Sequence, residues 1–209
     1  MKKKWCFSGL LFIAWLAGSN GWAGDSLAAL MQRMRSDTAV RIAYRESRTL
    51  ELLDRPWLGR GYMYSLPPDL MIKEQLQPER VLMGVQGDRM YYFDPGHEVR
   101  HQGEMTLDNP MTQNVAVFKA LINADEALLH RLYRIEFDSA GQSWTMTLTP
   151  KQEVDSGFSI VISGPAEQPA DAIEVRQNGD LSVFSLQPDG SGENVEAAVK
   201  RLYRELLGD

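Results

Sequence analysis

The chain has 209 residues, 28 acidic against 22 basic, with three histidines, one cysteine and a formal net charge of −6. That balance excludes a nucleic-acid-binding protein and offers no steering toward an anionic membrane surface. The length suits one domain with a sizeable core.

Residues 1–23 read as a signal peptide. Lys2, Lys3 and Lys4 form a positive start, Trp5 to Gly18 is an apolar stretch too short for a membrane span, and Gly21 and Ala23 supply the small residues a signal peptidase reads. Cleavage after Ala23 removes the three lysines and deepens the acidic excess. It also removes Cys6, the one cysteine. The exported product, 24–209, is expected to be a single domain with no disulfide and no catalytic thiol. No later stretch is apolar for long enough to cross a bilayer.

Asp25–Arg35 has the spacing of a short amphipathic helix, capped by Asp25 or Ser26, with Leu27, Leu30, Met31 and Met34 on one side. Thr38–Leu50 alternates: Val40, Ile42 and Tyr44 face one way, Arg41, Ala43 and Arg45 the other, and the far end is polar. Leu50–Pro95 then reads as four short strands, with turns at Pro67-Pro68-Asp69, Pro78-Glu79 and Gln86-Gly87-Asp88. Connections this short force antiparallel pairing. A fifth strand is predicted over Glu98–Gly103.

Within Asn109–Arg134 the period becomes helical. Val115, Phe118, Leu121 and Ile122 mark one helix, and Asp125 caps a second bearing Leu128, Leu129 and Leu132. Strands are predicted at Tyr133–Phe137, Ser143–Thr149, Phe158–Ile162, Ala172–Arg176 and Leu181–Leu186, with Asn178-Gly179 as a strong hairpin turn. Asn194–Leu207 closes the chain as an amphipathic helix. The expected fold is α+β, mainly β: about ten or eleven antiparallel strands in a sheet that curls into an incomplete barrel. Its concave face must be filled by side chains, a helix or a ligand.

His97-Glu98-Val99-Arg100-His101 is a literal H-E-x-x-H. On a helix it would place two histidines on one face to bind zinc, with the glutamate activating water. Asp94-Pro95-Gly96 before it and Gly103 after it leave less than two turns of helix. In an extended strand Glu98 points away from His97 and His101, which is the reading of a polar edge strand. No G-x-S-x-G elbow and no phosphate-binding loop is present, and no metal or other cofactor is expected. The remaining signal is apolar. There are ten methionines, seven tyrosines and seven phenylalanines, and methionine suits a surface that accepts varied apolar shapes.

Four segments, in order, resemble the LolA-like periplasmic lipoprotein-carrier family. They are Tyr44–Arg48 with Leu52–Pro56, Gly61–Asp69 (GYMYSLPPD), Gly87–Pro95 (GDRMYYFDP) and Trp144–Lys151 (WTMTLTPK). More narrowly, the chain resembles the branch found beside aryl-polyene lipid biosynthesis genes. The resemblance implies a periplasmic, non-enzymatic carrier or chaperone, with an incomplete barrel whose concave apolar face is lidded by helices. It implies a cavity for a lipid, an acyl chain or a lipidated protein, and partners at the inner and outer membranes. The residues expected to line that cavity are Tyr62, Tyr64, Met83, Met90, Tyr92, Phe118, Leu121, Ile122 and Met146. Arg55 is the nearest match to the family's arginine at the cavity mouth, with Arg60 second. The sequence departs from the carriers at Gly59-Arg60-Gly61, where they have an aromatic-basic-aromatic pattern, and in ending on a helix. Two alternatives remain: a zinc hydrolase at His97, Glu98 and His101, and an envelope protein-interaction module without a cavity.

Overall fold

The computed structural model describes residues 26–51, 53–105, 115, 117–121, 123–151 and 157–209. The signal-peptide reading, the Asp25 cap, Leu52 and Ile122 fall outside them.

Helix α1 (Leu27–Met34) starts at Ser26, whose hydroxyl accepts from the Ala29 N–H at 3.2 Å. Strand β1 (Val40–Thr49) follows. Then comes the meander β2 (Trp57–Leu66), β3 (Leu70–Gln77), β4 (Val81–Gln86), β5 (Arg89–Asp94) and β6 (Val99–Glu104). Residues 117–121 are helical. Helix α2 (Glu126–Leu132) is capped by Asp125, which accepts from the Leu128 N–H at 2.9 Å. The second half contains β7 (Tyr133–Ala140), β8 (Ser143–Pro150), β9 (Ser159–Pro165), β10 (Ala172–Gln177) and β11 (Asp180–Ser191). Asn178 and Gly179 both take positive φ, 51° and 87°, in the turn joining β10 to β11, as their pairing predicts. Helix α3 (Glu193–Leu207) ends on Gly208 at φ 88°, whose N–H bonds the Arg204 and Glu205 carbonyls.

These strands form one open, curled antiparallel sheet in the order β6-β5-β4-β3-β2-β1-β11-β10-β9-β8-β7. The sheet is an incomplete barrel, mainly β in composition, as the alternation predicts. Strand β11 runs five residues past the predicted Leu186, to Ser191, because β1 continues alongside it to the pair Val40–Ser191. The Pro188-Asp189-Gly190 sequence, which resembles a turn, is absorbed by an irregularity between Arg41 and Ile42, where Pro188 needs no N–H for a ladder.

Directly opposed residues share a face, so the register sorts every strand. One face, called here the lidded face, carries Tyr44 of β1, Met63 of β2, Phe184 of β11, Ile173 of β10, Ile160 and Ile162 of β9, and Trp144, Met146 and Leu148 of β8. They form a single core with Leu30 and Met31 of α1, with Val117, Ala120 and Leu121, and with Leu129 of α2. The far face carries Tyr64, Ile72, Leu82 and Phe93. They form a second core with Val195, Val199, Leu202 and Leu206 of α3. The terminal helix therefore packs on the opposite side of the sheet from the other helices. Arg80 holds it there, bonding Glu205 with both Nη atoms, at 2.5 and 3.0 Å, while its Nε bonds Glu74 at 3.1 Å.

Candidate functional site

The lidded face is covered unequally. Over β8 to β10 it is closed: Trp144, Met146, Leu148, Ile160 and Ile162 lie beneath the helices, almost fully buried. Over β3 to β5 the same face keeps apolar side chains partly open. Register places Met63, Lys73, Met83 and Tyr92 in one row across β2, β3, β4 and β5, and Met71, Val85 and Met90 in the next row. Met83 is 37% exposed, and Met63, Met71, Met90 and Tyr92 are half-buried. Four thioethers and a phenol ring thus form a deformable apolar surface beside the helix-covered core. Segment 117–121 is tied to this wing by Lys119, whose ammonium donates to the Gly87 carbonyl in the β4–β5 turn at 2.8 Å.

Of the expected lining residues, Met83, Met90, Tyr92 and Met146 lie on the lidded face, and Phe118 and Leu121 belong to its helical cover. Tyr62 and Tyr64 do not join them. They oppose Ala43 and Arg41 on the far face, where Tyr64 is buried under α3 and its hydroxyl donates to Glu74 Oε2 at 3.2 Å. Burial beside that carboxylate pushes the Tyr64 phenol up to about 12. Arg55 and Arg60 are exposed, Arg55 in the bend before β2 and Arg60 on that strand. Ile122 lies outside the described residues.

The motif His97–His101 does not form the helix that zinc binding requires. His97 and Glu98 lie in the turn after β5, with Glu98 at φ 54°, and His101 lies in β6. His97 Nδ1 is 2.8 Å from Asp94 Oδ2, and that hydrogen bond holds the imidazole pKa above its ordinary value. His101 packs beside Tyr92, ring centroids 6.1 Å apart.

Sequence reasoning missed a charged cluster on the lidded face. Glu46 is 1% exposed, and its two carboxylate oxygens take Arg48 Nε at 2.5 Å and Lys73 Nζ at 2.8 Å. The Lys73 ammonium also sits 4.8 Å from the Tyr44 ring centroid and 5.1 Å from that of Phe184. Burial lowers the Lys73 pKa, and the Glu46 charge opposes that shift. Strand β2 lies between these partners, and Gly59 and Gly61 are its residues opposite Glu46 and Tyr44. Lys73 reaches across β2 to Glu46, while the Trp57 indole lies where a Cβ at Gly59 would project and the Glu74 backbone carbonyl where one at Gly61 would. The Arg48 guanidinium stacks 4.8 Å above that indole. The readable signal was parity: Glu46 continues the Val40, Ile42, Tyr44 series.

The model of a family described as outer membrane lipoprotein carrier protein LolA-like matches residues 23–182. Among solved structures, the chain is similar to a LolA superfamily protein from Nitrosomonas europaea, at 12% identity and TM-score 0.44, over 76% of this chain and 88% of that one. It is also similar to the Mycobacterium tuberculosis lipoprotein LppX, at 11% identity and TM-score 0.38, over 78% and 95%. A third is a domain from Vibrio parahaemolyticus described as a putative outer membrane lipoprotein-sorting protein, at 11% identity and TM-score 0.40, over 81% and 95%. No curated protein matches the chain in sequence.

Proposed function

The chain belongs to the LolA-like outer membrane lipoprotein carrier family, and from that premise we propose that it is a periplasmic, non-enzymatic carrier of lipid or lipid-modified cargo. The acyl chain lies on the lidded face, against Met63, Met71, Met83, Met90 and Tyr92, with Phe118 and Leu121 in the cover above. The observation that supports this reading is the unequal cover of the face: closed over β8 to β10, and half-open and methionine-rich over β3 to β5. Tyr62 and Tyr64 have no part in the site.

Each methylene removed from water contributes about 0.8 kcal/mol. A chain of about a dozen carbons therefore offsets the cost of association with enough surplus for micromolar binding. Uptake and release require the helical cover to move, and the Lys119–Gly87 hydrogen bond is the contact that must break. Donor and acceptor are membrane proteins of the inner and outer envelope. A polyene-bearing lipid is one cargo, from the branch that the sequence resembles.

The direct test is binding of a fluorescent acyl probe to the Met83→Glu variant. Met83 is partly exposed, so the charge leaves the protein folded while placing a carboxylate in the path of the chain. Binding is expected to weaken by about tenfold or more, from the cost of desolvating that charge. Unchanged binding would remove the β3–β5 wing from the site.

A further inference from the structure

The charged cluster on the lidded face has a surplus. Glu46 contributes one negative charge, and Lys73 and Arg48 contribute two positive charges. Among the described residues no other carboxylate pairs with either cation. Lys73 has three donor hydrogens and places its ammonium against Glu46 and two ring faces, with its side chain 20% exposed. Rings and a single carboxylate oxygen leave donor capacity unused. The Tyr44 hydroxyl, on a residue 2% exposed, has no hydrogen-bond partner among the described residues. A buried hydroxyl without a partner, on the ring that the Lys73 ammonium lies against, is costly unless an acceptor arrives.

The position of the cluster decides what that acceptor belongs to. Lys73 is opposed by Met63 on one side and Met83 on the other, with Tyr92 next in the row. Any group that reaches the ammonium from the half-open wing passes over methionine. An inorganic anion gains nothing from that apolar surround, whereas an amphiphile uses both parts.

Resting on the carrier reading above, we propose that Lys73, with Arg48, is an anchor for the ionised oxyanion head of an acyl amphiphile, a carboxylate or a phosphate, whose tail lies over Met83, Met90 and Tyr92. Glu46 fixes the two cations in place and keeps the site from binding the head too tightly to release it.

The test compares three ligands of equal chain length by displacement of a fluorescent acyl probe: myristic acid, monomyristoyl phosphatidic acid and methyl myristate. The wild-type protein is expected to prefer at least one of the two acids over the ester by about tenfold, the scale of a hydrogen bond to a charged group. The preferred acid identifies carboxylate or phosphate as the head. In Lys73→Met the preference for acid over ester disappears. Because Lys73→Met leaves Glu46 with one partner, the double variant Lys73→Met with Glu46→Gln, which removes the ion pair outright, is measured alongside and is expected to behave the same way. Equal binding of acid and ester by the wild type, or a preference that survives in both variants, overturns the anchor and leaves the carrier reading standing. Failure of all three ligands and of the probe to bind overturns both.

Discussion

Met63 and Tyr64 are consecutive in β2 and enter different cores: Met63 packs against the cluster beneath α1 and α2, and Tyr64 lies in the cluster beneath α3. The two residues therefore separate function from stability. Tyr64→Ala is expected to cost about 3 kcal/mol, the range for deleting a large buried ring. That corresponds to a fall in Tm of roughly 6–12 °C for a chain of this size. Acyl-probe affinity, measured well below the new Tm, should be unchanged. Lost affinity at full folding would place Tyr64 in the binding site.

Arg80 supports α3 electrostatically. Its hydrogen bond to Glu205 holds that carboxyl below its ordinary value of 4.5. A depressed carboxylate contributes stability that is fully present above its unfolded value and is lost as pH falls through the folded one. Arg80→Met should therefore lower Tm at pH 7. The gap from wild type should narrow as pH drops below 4.5. Thermal melts of both proteins from pH 7 to pH 3 measure this. A gap constant across that range would mean that Arg80 acts through packing alone.

Two glycines in the meander should respond differently to the same methyl group. At Gly84 a Cβ would lie 2.6 Å from Leu206 Cδ1, the mobile end of a side chain. At Gly61 it would collide with the backbone carbonyl of Glu74, at the register shift between β2 and β3. Leucine can rotate, and a strand backbone cannot move without breaking its ladder. Gly84→Ala is expected to cost about 1–2 kcal/mol and Gly61→Ala distinctly more. Urea denaturation of the two variants ranks them, and the reverse order would contradict the packing described for β2 and β3.

Lys119 is expected to set the rate of exchange rather than the depth of the site. Its hydrogen bond to Gly87 joins the helical cover to the open wing at 2.8 Å. Lys119→Met removes the contact and keeps the aliphatic stem. Probe dissociation, followed by stopped flow, should quicken by about tenfold, the value of one charge-assisted hydrogen bond. An unchanged rate would mean that the cover opens elsewhere.

The strands were legible in the sequence because alternation and turn residues are local signals. Asn178-Gly179 fixes one hairpin, and Gly87, at φ 59°, sits in the turn of another. The faces of the meander were not legible. Tyr62-Met63-Tyr64 and Val81-Leu82-Met83 are apolar at every position, because α3 covers one side of the sheet there and the half-open apolar wing forms the other, so alternation cannot say which side is which. The destination of α3 was hidden for a related reason. Its apolar stripe predicts that it packs, but its partners Ile72, Leu82 and Phe93 are more than a hundred residues away in sequence. Lys73 gave no sign of its role, since a lysine in a strand ordinarily points to solvent. Its partner Glu46 stands on β1, with β2 between them, so the pair exists only once the sheet has formed.

Carriage of an acyl chain on the lidded face is the property on which the proposed function rests. Native mass spectrometry of the protein, purified from the periplasm without detergent, tests it most directly. The wild-type protein is expected to show an adduct of lipid mass that organic extraction removes and that the Met83→Glu variant lacks. A bare polypeptide mass, still bare after incubation with fatty acids and phospholipids, would contradict it.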